Sequence, residues 1–196
     1  MSATLTPPRP APVPRRLFTV ADLAAMPKSL PSGDVWYELR DGVIIHMAPP
    51  GYIHGRRQHS VSLVLAVAES LGLGAACSET GIILRRNPDS VVGADAAFIL
   101  SASLPARLSD EGYLETIPEI VVEVRSKNDS RPEILDKCDE YHRAGVREVW
   151  VIDPDARTLA VHAADGSVRV IREADAVTSE LLPGFAVPAA ALFVGG

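Results

Sequence analysis

The chain has 196 residues, 47% of them apolar, which is enough for one substantial core and too few for two ordinary domains. Its formal charge of −6 argues against a high-affinity, non-specific nucleic-acid binder, because such binding rests on Lys and Arg neutralising phosphates. Cys77 and Cys138 stand far apart with no CxxC and no zinc-type Cys/His spacing, so a disulfide scaffold and a structural zinc are both excluded as expectations.

In chain order, residues 1–16 carry five prolines and three arginines without an acid and are expected to be a disordered tail, leaving 17–196 as a single domain. No signal-peptide pattern opens the chain, and its most apolar run, 61–68, is far short of a membrane span, so a cytoplasmic protein with no membrane partner is expected. The segment 19–25 predicts a short helix capped by Thr19 with Asp22 three residues on. Asp41-Gly42 between 36–39 and 43–47 predicts a hairpin. Val61, Val64, Leu65, Ala68 and Leu71 recur at helical spacing, giving a buried helix over 54–71 that Gly72 ends.

The period then changes. Segments 76–85, 91–100 and 119–125 are β-branched and apolar and read as strands. Helix returns over 130–144, with Ser130 and Glu133 as a capping box and Ile134, Cys138 and Tyr141 as its inner stripe, and a strand follows over 146–152. A second hairpin spans 158–172 around Asp165-Gly166, and a tail from Leu182 packs back on the sheet. The mixture predicts an α/β (α+β) layout with a mixed sheet, its core running helix, three strands, helix, strand.

Asp95 and Glu123 each interrupt an apolar strand. A buried carboxylate costs several kcal/mol unless it meets a cation, donors or water, and two on neighbouring strands repel each other unless a divalent cation is shared between them. Oxygen donors with water completing the shell suit Mg2+ or Mn2+. The alternative is two ordinary acids at strand ends or on a solvated face. The same repulsion predicts that Asp95→Asn leaves the metal-free protein as stable as before or more so. Strand alternation puts Arg125 on the face of Glu123, and Lys137 shares a helix face with Glu133 and Tyr141, either as a surface pair with Glu133 or pointing to the strand ends. Arg56, Arg57, Arg85, Arg86, Arg125, Lys127 and Arg131 gather mid-chain, as a basic rim or as scattered solvated charge.

The segments YELRDG (37–42), APPGYIH (48–54), VVGADAAFIL (91–100), PEIVVEVRSKND (118–129), DKCDEYHRAGVREVWVIDP (136–154) and LLPGFAVP (181–188) resemble, in order and spacing, the Uma family of restriction-endonuclease-like proteins, a branch of the PD-(D/E)XK nuclease superfamily. The resemblance covers about 17–194. It implies a restriction-endonuclease-like fold and a metal-dependent endonuclease with DNA as substrate. Asp95 and Glu123, with the carbonyl of Val124, would be the metal ligands. Two departures stand out: Ala94 replaces the usual proline, and Arg125 replaces the usual lysine two residues after the second acid. In this branch the lysine is supplied from the next helix, which implies Lys137. Glu38 and His54 match recurrent family positions as accessory groups. Arg125, always protonated, is confined to an electrostatic role. Duplex cleavage would imply a homodimer. A catalytically weak or inactive binding module that keeps the fold is the competing expectation, motivated by the net charge and by Arg125.

Overall fold

The structure, a computed structural model, describes residues 16–193 except 32, 48, 50, 108, 127 and 128. The Pro-rich segment 1–15 and Lys127 of the expected basic rim therefore lie outside the described residues. Among those described, no helix is long and apolar enough to cross a membrane.

Helix α1 (Val20–Ala24) begins on the capping box of Thr19 and Asp22. A two-stranded ribbon of β1 (Ser29–Leu30) and β2 (Gly33–Asp34) follows, where only a loop was expected. Strands β3 (Trp36–Arg40) and β4 (Val43–Met47) form the expected hairpin, and Asp41 and Gly42 both take positive φ, 50° and 73°, as a tight two-residue turn matched to strand twist requires. After α2 (Tyr52–Ser70) come β5 (Gly74–Arg85), β6 (Ser90–Leu100) and β7 (Ile120–Val124), then α3 (Arg131–Ala144) and β8 (Glu148–Asp153). This is the core order read from the sequence. Strands β9 (Thr158–Ala163) and β10 (Val168–Arg172) make the second hairpin, and β11 (Ala176–Val177) pairs with β12 (Val187–Pro188).

Eight strands form one mixed sheet in the order β10-β9-β8-β7-β6-β3-β4, with β5 also on β6. Strands β7 and β8 run parallel, as strands joined by a crossover helix must, and their neighbours are antiparallel. One face carries Phe98, Val122 and Trp150 against Val61, Leu65 and Ala68 of α2 and against Leu182, Phe185 and Leu192 of the returning tail. The other carries Ala97, Val121 and Val149 against Cys138 and Tyr141 of α3. Alternation along β7 thus sends Val122 to α2 and Glu123 to the α3 side.

Strand β6 does not alternate throughout. Val92 and Ala94 pack in the same cluster as Ala97 and Ile99, so the pattern slips by one residue at Asp95. Across from it on β5, Glu79 adopts φ 49° between the pairs Ser78 with Ala96 and Thr80 with Ala94. A local irregularity of this kind bends both strands and re-aims the side chain at its centre, which here is Asp95.

Candidate active site

Strand β6 has one edge occupied along its length by β5, so β3 and β7 must share the other. β3 meets that edge at Val91 and β7 takes it from Ala96 onward, which leaves a fork around Gly93 and Asp95. Backbone groups in such a gap need partners. The Gly93 N–H donates to Glu38 Oε1 at 3.2 Å, and Arg40 holds the other Glu38 oxygen through Nε (3.1 Å) and NH2 (2.9 Å). Glu38 is only 4% exposed, so it acts as a fork-closing group on β3. A cleft of about 430 Å3 opens over the fork, lined by residues of β3, β4, α2, β6, β7 and α3.

The pairing of Ala96 with Val122 sets Asp95 opposite Glu123, both on the cleft wall. Asp95 Oδ2 accepts from the Val124 N–H at 2.6 Å, and Oδ1 contacts His54 Nε2 at 3.0 Å and accepts from Gln58 Nε2 at 2.8 Å. His54 and Gln58 lie one turn apart at the start of α2, so the helix grips the carboxylate with two side chains. Glu123 accepts from Tyr141 Oη at 2.6 Å and from Lys137 Nζ at 3.0 Å, again residues one turn apart, on α3. Burial pushes the Glu123 carboxyl above the usual range, Lys137 pulls against that, and the charge of Asp95 adds to it. Burial works against the Lys137 ammonium too, but Glu123 overrides it and the pKa rises. The hydrogen bond to Asp95 holds the His54 imidazole above its ordinary value despite partial burial. Tyr141, buried beside Glu123, stays a neutral phenol far above its usual range.

Helix α3 delivers its pair because its start is pinned. Ser130 Oγ accepts from the Glu133 N–H, and the Glu133 carboxylate accepts from the Ser130 N–H at 2.9 Å. Glu133 is thus occupied by the cap, and Lys137 reaches Glu123 rather than pairing with it. Arg125 keeps the side that alternation suggests, lining a small pocket with Glu123, Lys137 and Cys138, but it does not reach the main cleft. β7 ends at Val124, and the Arg125 guanidinium bonds to Asp153 and to the Asp129 carbonyl, outside the walls of the main cleft. The mid-chain cations are largely matched by acids: Arg57 with Asp155, Arg85 with Asp41, Arg86 with Glu115 and Glu111. Gln58, Tyr141 and Arg40 were not singled out from the sequence as site residues. Their one signal is i, i+4 spacing from His54 and Lys137 for the first two, and period 2 from Glu38 for the third.

Among the described residues no three His, Cys, Asp or Glu side chains form a group that could hold a metal on their own. The donor set instead fits an ion that keeps its water. Asp95 Oδ2 and both Glu123 oxygens each accept one hydrogen bond, so each retains a lone pair for a cation. Two carboxylates completed by water match Mg2+ or Mn2+ rather than zinc.

Comparison with the curated proteins gives no match. A crystal structure described as a putative nuclease belonging to DUF820, from Anabaena variabilis ATCC 29413, superposes with a TM-score of 0.69 at 19% identity, covering 90% of this chain and 97% of that one. At that identity the likeness is one of fold, and the fold is restriction-endonuclease-like. Residues 20–190 match the family model described as "Putative restriction endonuclease", and the chain belongs to that family, Uma2.

Proposed function

We propose that the protein is a metal-dependent endonuclease that hydrolyses phosphodiester bonds in DNA, with Asp95, Glu123 and the carbonyl of Val124 as ligands of Mg2+ or Mn2+. The observation that carries this is the pair of carboxylates opposed across β6 and β7 on the wall of an open cleft, one of them bonded to a lysine. The family and the fold of the Anabaena variabilis protein support the same class of activity. When bound, the ion supplies Lewis-acid polarisation of the phosphodiester and a more acidic water.

The protein's own groups do the rest. His54 and Gln58 fix the orientation of Asp95, and Tyr141 does the same for Glu123, so neither carboxylate has to be ordered when substrate arrives. With its pKa raised, the Lys137 ammonium stays protonated at neutral pH. It therefore acts on the charge developing at phosphorus and on the orientation of the attacking water, not as a general base. Arg125 lies beside Glu123 but is paired with Asp153, so any electrostatic role for it requires that pair to open. A cytoplasmic enzyme cutting a duplex would work as a homodimer, one site to each strand.

A catalytically weak module that keeps the fold is the second reading, favoured by one observation: all four carboxylate oxygens already have protein donors. Calorimetry with Mn2+ and cleavage of plasmid and linear DNA separate the two. The nuclease reading expects Mn2+ binding and cleavage in the wild type, both lost in an Asp95→Ala/Glu123→Ala double variant, and a chemical step slowed roughly 100-fold in Lys137→Met with little change in DNA binding. Equal Mn2+ binding in wild type and double variant would refute it.

A further inference from the structure

We propose that one wall of the cleft is a stacking platform for an unpaired base, so that the preferred substrate is single-stranded nucleic acid; this rests on the nuclease reading above. Trp36 opens β3 two residues before Glu38 and on the same side, and it is 45% exposed. Met47 lies opposite it in register, and Tyr37, Met47 and Pro49 complete that wall. An indole left this open at the mouth of an acidic cleft has surface to offer a ligand, whereas the other tryptophan, Trp150, is 1% exposed in the core.

The charge of the cleft points the same way. Among its described lining residues Lys137 is the one lysine or arginine, and it is bonded to Glu123, against the carboxylates of Glu38, Glu79, Asp95, Glu123 and Asp129. Duplex DNA presents phosphates outward and keeps its bases stacked inside, so its affinity depends on cations that this cleft does not supply. A single strand depends less on phosphate neutralisation than a duplex does, and it presents base faces that stack on an aromatic ring whatever the base. About 430 Å3 is room for a nucleotide or two, within the range of small-molecule pockets and well short of a duplex cross-section.

Because Trp36 is the sole accessible tryptophan, its fluorescence reports stacking directly. The experiment titrates the full chain, with Ca2+ in place of Mg2+, against a 12-nucleotide single strand, the same sequence as a duplex, and a strand with abasic sites, and follows fluorescein-labelled strands by anisotropy for the variants. The single strand is expected to quench Trp36 while the duplex and the abasic strand do not. Trp36→Ala is expected to weaken single-strand binding by about tenfold, and Trp36→Phe, which keeps a ring, by less than threefold. Tighter binding of the duplex than of the single strand, or equal single-strand affinity in wild type and Trp36→Ala, would overturn the inference. A Mn2+ cleavage assay separates it from the reading beneath. Quenching without any cleavage would remove the nuclease and leave the platform standing; duplex cleavage unaffected by Trp36→Ala, with no quenching, would remove the platform and leave the nuclease.

Discussion

Replacing Asp95 by Asn tests whether the site is held together by its hydrogen bonds or strained by its charges. Repulsion alone predicts a metal-free variant at least as stable as the wild type. The structure reverses that, because Asp95 accepts from three donors: the Val124 N–H at 2.6 Å, Gln58 at 2.8 Å and His54 at 3.0 Å. An amide has one acceptor oxygen. If it stays on the Val124 N–H, its NH2 faces Gln58 and His54, which must flip and change tautomer to accept. All three contacts then survive at best as neutral bonds, each weaker by about 1 kcal/mol than a charge-assisted one, for a loss of about 3 kcal/mol. Relief of the repulsion with Glu123 returns only about 1 kcal/mol, since Lys137 already offsets that charge. Asp95→Asn should therefore be destabilised by about 2 kcal/mol, or about 4–8 °C in Tm for a chain of this size. The pH dependence has a definite direction. His54 has a raised folded pKa, so its pairing with Asp95 stabilises the wild type fully below about pH 6.5 and fades as pH rises through the folded value. The gap between wild type and variant should thus be wider at pH 5.5 than at pH 8. Urea unfolding in EDTA at the two pH values measures it, and an Asp95→Asn variant as stable as the wild type at pH 5.5 would refute the hydrogen-bond account.

Two further substitutions probe the supports on α3. Tyr141→Phe keeps the ring in its buried place and removes only the hydroxyl that donates to Glu123, so it should cost about 1.5–3 kcal/mol in urea unfolding and weaken Mn2+ binding measured by calorimetry. Ser130→Ala breaks the capping box two turns before Lys137 and should cost about 1 kcal/mol, with a further loss of helical order around Lys137 readable by amide hydrogen exchange.

Much of the fold was legible because local chemistry announced it. Thr19 with Asp22 and Ser130 with Glu133 cap helices, Asp41-Gly42 turns a hairpin, and the apolar runs of β5, β6 and β7 have the composition of buried strands. The ribbon of β1 and β2 was missed because two-residue strands carry no periodicity. In the site, Asp95 and Glu123 drew attention because a carboxylate inside an apolar strand is costly, and the fold sets them face to face. Gln58 went unremarked and Tyr141 was read only as an inner-stripe residue sharing a face with Lys137, because nothing in the chain says which face of α2 or α3 meets a carboxylate. Alternation put Arg125 on the side of Glu123, where it lies, but only the fold supplies Asp153 and the Asp129 carbonyl that hold its guanidinium away from the main cleft.

Capping, turns and hydrophobic periodicity act over a few residues, so the longer helices and strands, their order and the two acids could be read from the chain alone. The tertiary structure decided that β3 and β7 share one edge of β6. That arrangement depends on pairings between strands remote in the chain, and it alone creates the fork, closes it with Glu38, slips the alternation at Asp95 and brings α2 and α3 to grip one carboxylate each.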